Sequence, residues 1–138
     1  LALGDGSVLV GTGPNGKIFK VVGEQATVFA ETGALAVTSM VQAANGTIYA
    51  ATMPDGKIFK VSQGKAEVFT TLPEGGHVWA IALDKAKTGH YAATGPEGKV
   101  FRVEANGTRT STDAPSTPRT GSEGAEILVV PEGSAMPA

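Results

Sequence analysis

Residues 48–61 read IYAATMPDGKIFKV, and the chain spells nearly the same phrase twice more: VLVGTGPNGKIFKV at 8–21 and HYAATGPEGKVFRV at 90–103. The offsets are 40 and 42 residues. Thr12, Thr52 and Thr94 fall in one column, as do Pro14, Pro54 and Pro96, then Gly16, Gly56 and Gly98, Phe19, Phe59 and Phe101, and Val21, Val61 and Val103. A fixed period of this length marks a chain of stacked repeats. Within each phrase a β-prone run (8–12, 48–52, 90–94) meets a Pro-x-Gly mark and then a second β-prone run, KIFKV, KIFKV or KVFRV. Asn15-Gly16 and Asp55-Gly56 are hairpin dipeptides, because such turns need positive φ. A proline just before the turn suits a strand end, where its missing N–H breaks no central ladder.

Two further runs flank each hairpin. ATVFA at 26–30 and AEVFT at 66–70 follow it, while AVTSMVQ at 36–42 and VWAIALD at 78–84 precede it. Asn45-Gly46 and Asp5-Gly6 link one run to the next, and Leu1 aligns with Val41 and Leu83. The opening residues therefore read as the end of such a strand, and the leucine start as a sign that the true N-terminus lies further upstream. Four short strands per period of about 40 residues, with no three-and-four apolar spacing, make an all-β chain of about three β-propeller blades. Blades are apolar on both faces and gain stability by stacking. Three cannot cover their own ends, so the ring is expected to be partial, or to be completed by other chain segments or copies. The blades are assigned to 1–104, a Ser/Thr/Pro/Gly-rich loop or linker to 105–125, and a terminal strand and tail to 126–138. Ile127–Val130 is read there as the delayed outer strand of the third blade.

Composition narrows the function more than it names one. The chain has 138 residues, 17% of them charged, 19 glycines, 8 prolines and no cysteine. Disulfides and Cys-ligated metals are thereby excluded. A net charge of −2 gives no field to draw the protein onto nucleic acid or an anionic membrane. No apolar run approaches the roughly 18 residues of a membrane span. No G-x-S-x-G, P-loop, H-E-x-x-H or calcium-loop spacing occurs, and Gly11-Thr12-Gly13-Pro14 has no helix after it. Asn45-Gly46-Thr47 and Asn106-Gly107-Thr108 match the glycosylation pattern but read as turns.

Candidate binding residues are few. Lys17, Lys57 and Lys99 form one aligned column, and Lys20, Lys60 and Arg102 a second. Such columns would meet an anionic partner, or simply keep strand flanks soluble. Trp79, aligned with Val37, is expected in an innermost strand as blade-packing core, with ligand stacking near the ring axis as the alternative. His77 and His90 could be conceived as a metal pair; as ordinary rim residues they need no ligand.

The G-[TM]-G-P-x-G-K-[IV]-F-[KR]-V units, with strands such as VWAIALD and GTIYAAT, resemble bacterial propeller repeats of the NHL and YVTN kind over residues 1–104. Similar repeats occur in two-component-regulator sensor propellers and in gluconolactonase and streptogramin-lyase propellers. The regular repeat and the absence of paired catalytic groups point to a non-catalytic interaction or scaffold module binding a protein or carbohydrate partner, in a periplasmic or extracellular setting and without a cofactor. The lyase-type resemblance implies a metal-dependent lyase or hydrolase, with a divalent metal at the ring centre held by acidic and Asn or His side chains. At the innermost strands the chain offers Ser39 and Gln42, then Ala80 and Asp84.

Overall fold

The computed structural model describes residues 1–73, 76–96 and 98–111, and these form eleven strands with no helix among them. β1 (Val8–Gly11), β2 (Lys17–Val22) and β3 (Gln25–Glu31) make the first sheet. β4 (Ala36–Gln42), β5 (Ile48–Met53), β6 (Lys57–Ser62) and β7 (Lys65–Thr71) make the second, in that spatial order. β8 (His77–Leu83), β9 (His90–Gly95), β10 (Val100–Val103) and β11 (Arg109–Ser111) make the third. Every pairing between neighbouring strands is antiparallel. In the first sheet the innermost place is held by residues 1–3. Ala2 bridges Val8, and the Leu1 amino group and carbonyl bond to Leu9 at 2.8 Å. These are three propeller blades.

The repeated residues do repeated work. Thr12, Thr52 and Thr94 each donate a hydroxyl hydrogen bond across the hairpin to the carbonyl of Lys17, Lys57 and Lys99, at 2.8, 2.8 and 3.0 Å. Gly16, Gly56 and Gly98 close the same hairpins at φ of 55°, 69° and 72°, which an L side chain rarely adopts. Asn45 and Asn106 accept from the amides of Thr47 and Thr108, as Asp5 does from that of Ser7, all at 2.9 Å. These side chains close Asx-turns.

Strand alternation decides which blade each side chain meets. In blade two, Ile48, Ala50, Phe59 and Val61 point back to Leu9 and Ile18 of blade one. Tyr49, Ala51 and Ile58, the residues between, point forward to Val78, Ile81, Ala92, Phe101 and Val103 of blade three. Blade two thus has a rear face and a front face, each packed against a neighbouring blade. The two seams hold the core: Ile18, Ala50, Ala51, Ile58, Val78, Ala92 and Val103 are completely buried. The corresponding outer faces are open, with Val8 and Val10 exposed at the rear of blade one and Ala82 and Ala93 exposed at the front of blade three.

Two expectations change. The outer place of blade three is taken by β11, which pairs with β10 (Phe101 with Ser111, Val103 with Arg109). Its sequence, Arg-Thr-Ser, is wholly exposed and carries no apolar signal, so a segment read as linker from residue 105 begins with a turn and a strand. Ile127–Val130 lies outside the described residues. The second change concerns Trp79. Val78 pairs with Thr94 as Val37 pairs with Thr52, and Ala80 pairs with Ala93 as Ser39 pairs with Ala51. Val78, not Trp79, is therefore the counterpart of Val37, and Trp79 corresponds to Thr38. The turn after β8 is one residue longer than that after β4, which shifts the innermost strand by one against the repeat. A one-residue slip moves a side chain to the opposite face. Val78 takes the core place at 0% exposure, and Trp79 stands 51% exposed.

Candidate functional site

The innermost strands of blades two and three, β4 and β8, both carry a bulge near their first residues, at Val37/Ser39 and Val78/Ala80. A bulge re-aims the side chains beside it. In β4 it turns Thr38 and Ser39 forward onto β8. The Thr38 hydroxyl donates to the carbonyls of Val78 and, at 3.2 Å, of Ala51. Ser39 Oγ accepts from the Ile81 amide at 3.2 Å. In β8 the same bulge turns out Trp79, whose indole crosses the end of β9. A Cβ added at Gly95 would stand 2.5 Å from its Nε1. His77 lies beside it, ring centroids 5.1 Å apart and planes tilted by 59°. This pair, at the axial end of blade three, is a half-exposed aromatic surface on a rigid strand.

The cationic columns do not form one surface. In β6, Ile58 faces forward while Phe59 and Val61 face back, so Lys57 and Lys60, three residues apart, lie on opposite faces. The same parity separates Lys17 from Lys20 and Lys99 from Arg102. Lys20 pairs with Asp5 at 3.8 Å. Lys60 lines a groove of about 310 Å³ with Asn45, Gly46, Thr47, Val61, Ser62 and Glu67. Arg102 is tied down most firmly. It meets Glu104 at 2.6 Å, the Tyr91 hydroxyl at 2.8 Å and Asp84 at 3.2 Å, with its guanidinium 5.3 Å from the centre of the Tyr91 ring. The Glu104 and Tyr91 bonds hold its pKa above the usual guanidinium value. Burial works to raise the Asp84 pKa, but the amides of Thr88 and Gly89 and the Arg102 charge outweigh it and keep the carboxyl below its ordinary range. The cations that the structure pairs in this way carry their counter-charge within their own blade.

The histidines do not come together. His77 pairs with Gly95 and His90 with Leu83, at opposite ends of the β8–β9 hairpin, roughly 17–20 Å apart by strand rise. Nor is His90 a rim residue. It is 1% exposed, pressed against Tyr49 with ring centroids 5.0 Å apart, and its Nε2 has no hydrogen-bond partner. Burial lowers its pKa to about 4, against a smaller opposing pull from Asp84. The alignment held the signal for this, since His90 shares a column with Ile48 and Val8. Among the described residues no three His, Asp or Glu side chains gather. Ser39, Gln42 and Ala80 supply no anionic ligand, and Asp84 is engaged by turn amides and Arg102. The described residues of these blades do not fit a ring-centre divalent metal.

Stacked antiparallel sheets of three and four strands, offset by a repeat of 40 to 42 residues, define a β-propeller with an unclosed ring. No family model and no curated protein matches the chain. Solved structures do. Virginiamycin B lyase from Staphylococcus aureus superposes with a TM-score of 0.70 at 17% identity over 84% of this chain. A catalytically inactive histidine-to-alanine variant of that lyase with quinupristin superposes at 0.60 and 18% over 82%. The likeness is one of fold. The chain spans 40% and 43% of the length of those two structures.

Proposed function

We propose that the chain supplies blades to a non-catalytic propeller interaction module, and that a carbohydrate or protein partner is taken at the axial end of blade three against Trp79. One observation carries this reading: the indole is 51% exposed on a bulged innermost strand, at a position where the preceding blade has a small hydroxyl residue. An indole offers a large rigid contact surface at little entropic cost, with an N–H donor at its edge. It is also the only tryptophan in the chain, so its fluorescence reports this site alone. Titration with cellotetraose, chitotetraose and aromatic-bearing peptides is expected to change the emission saturably for one ligand class. Replacement Trp79→Ala should weaken that binding by about tenfold or more, a loss of about 1.4 kcal/mol. Undiminished binding by the variant sinks the proposal.

The likeness to virginiamycin B lyase favours a second reading, in which the complete ring is a metal-dependent lyase. The blades described do not themselves assemble a metal site, so the catalytic groups would come from elsewhere in the ring. Incubation with quinupristin, with and without magnesium, separates the readings by chromatography. Metal-dependent conversion supports the lyase; an unchanged substrate leaves the binding module.

A further inference from the structure

The second cation column has one member out of step. Lys20 and Arg102 are half-buried, whereas Lys60 is exposed. The turn that leads into each hairpin makes the difference. In blade one, Asp5 accepts from the Ser7 amide at 2.9 Å through one carboxylate oxygen and meets Lys20 at 3.8 Å through the other. In blade three, Asp84 likewise takes the Thr88 amide at 3.0 Å and Arg102 at 3.2 Å. Blade two has Asn45 at the repeat position of Asp5. Its oxygen closes the same turn, accepting from the Thr47 amide at 2.9 Å, but its other atom is an uncharged NH2 donor. Lys60 has no acid partner among the described residues. Glu67, paired with it across the strands, meets Lys65 at 3.8 Å. Where the other two blades hold an ion pair, blade two has the groove of about 310 Å³ beside the Asn45–Thr47 turn.

We infer that this groove binds a small acidic sugar of the uronate type, whose carboxylate takes the place at Lys60 that Asp5 and Asp84 fill in the other blades. The lining suits the rest of such a ligand. The Asn45 NH2 group and the hydroxyls of Thr47 and Ser62 make no hydrogen bond among the described residues, and Glu67 offers acceptor oxygens. Donors and acceptors so mixed match a ring of hydroxyls, each of which both gives and takes a hydrogen bond. Charge selects further. Lys60 and Lys65 against Glu67 leave one positive charge, which matches a single carboxylate, whereas a phosphate dianion would also face the Glu67 carboxylate. The volume stands at the lower end of the roughly 300–1,000 Å³ of small-ligand sites, which favours one or two sugar rings. The Asn45–Thr47 turn precedes β5, whereas Trp79 lies against Gly95 at the far end of β9, the equivalent strand. The two sites are at opposite ends of the blades, and the inference stands independently of the reading at Trp79.

Amide NMR titration of the full 138-residue chain with D-glucuronate, glucose and inorganic phosphate tests it. Glucuronate is expected to shift the amides of Gly46, Thr47 and Ser62 saturably and to leave the Trp79 indole resonance in place. Glucose, which lacks the carboxylate, and phosphate, which lacks the ring, should each bind at least about tenfold more weakly. Lys60→Gln removes the charge and should weaken glucuronate by at least about tenfold. Asn45→Asp keeps the turn and supplies the acid that blades one and three use, so it should capture Lys60 and weaken glucuronate as much. Both substitutions are at exposed side chains, and the same spectra report that each variant is folded. Lys20→Gln, whose cation is already paired, should leave the affinity unchanged. The inference is overturned if glucuronate shifts nothing saturably or shifts the indole instead of the groove amides. It is equally overturned if glucose or phosphate binds as tightly, or if either groove variant binds like the wild type.

Discussion

The seam between blades one and two and the seam between blades two and three use the same repeat positions and different chemistry. The first is wholly apolar where it is deepest: Leu9 and Ile18 against Ile48, Ala50, Phe59 and Val61. The second buries Tyr49 against His90 and Phe69, with ring centroids 5.0 and 4.8 Å apart, and stitches β4 to β8 through Thr38 and Ser39. A blade seam therefore specifies alternating large and small side chains but not their polarity. A histidine is accepted at an isoleucine position if it is held neutral, and a hydroxyl is accepted if a carbonyl of the next blade receives it. The polar seam is the one that solution conditions can weaken.

The largest expected effect separates a covered position from an open one in the same repeat column. Phe101→Ala removes a ring that is 3% exposed in the second seam and is expected to cost about 3–5 kcal/mol. Phe19→Ala removes its counterpart, half-buried at the open rear of blade one, and should cost less, about 1–2 kcal/mol. Urea unfolding of both variants checks the contrast. Equal losses would mean that the seams are not where the stability resides.

Acid should act on the second seam and spare the first. The pKa of His90 is lowered by burial to about 4, from 6.5 in the unfolded chain. Between these values the unfolded state binds more protons, so stability rises with pH through that window. The contribution is fully present above pH 6.5, declines as pH falls towards 4, and levels off below. Its full size is about 3 kcal/mol. His90→Ile, which copies Ile48, should flatten this part of the pH profile. Denaturant midpoints measured from pH 7.5 to 4 decide the matter, and a variant with the wild-type slope would acquit the histidine.

How much of this was legible in the sequence depends on whether a residue's role repeats. Thr12, Thr52 and Thr94, the hairpin glycines and the seam phenylalanines sit in identical columns because each solves the same local problem in each blade. Strand positions followed from them. Three features do not repeat. The turn Asp84–Gly89 is one residue longer than its counterpart, so alignment through the hairpins placed Trp79 opposite Val37 when the bulge sets it opposite Thr38. Strand β11 is polar and exposed throughout, because an outermost edge has little to bury, and a hydrophobic-pattern reading passes over it. The cationic columns looked like one stripe because sequence shows spacing but not parity. Three residues along a strand is an odd step, so the columns part to opposite faces. In the second column Lys20 and Arg102 meet the acids of their own blades.

The smallest expected effect sharpens the comparison at a single glycine column. Gly13 and Gly95 occupy the same repeat position, one beside a covered seam and one beside an open face. A Cβ at Gly13 would stand 2.9 Å from Ala36 Cβ and 3.3 Å from the Leu35 carbonyl oxygen of the next blade. Backbone and a methyl group held in a seam cannot yield cheaply, so Gly13→Ala should be the more destabilising of the pair. A Cβ at Gly95 would stand 2.5 Å from Trp79 Nε1 and 3.2 Å from its Cδ1. Here the obstacle is the far end of a half-exposed side chain, which can swing away. Gly95→Ala should therefore change stability by less than about 1 kcal/mol, while it separates the indole from His77, shifts the tryptophan emission and weakens whatever ligand stacks there. If instead Gly95→Ala unfolds the protein as readily as Gly13→Ala, the indole is a packing element of blade three rather than an open surface upon it.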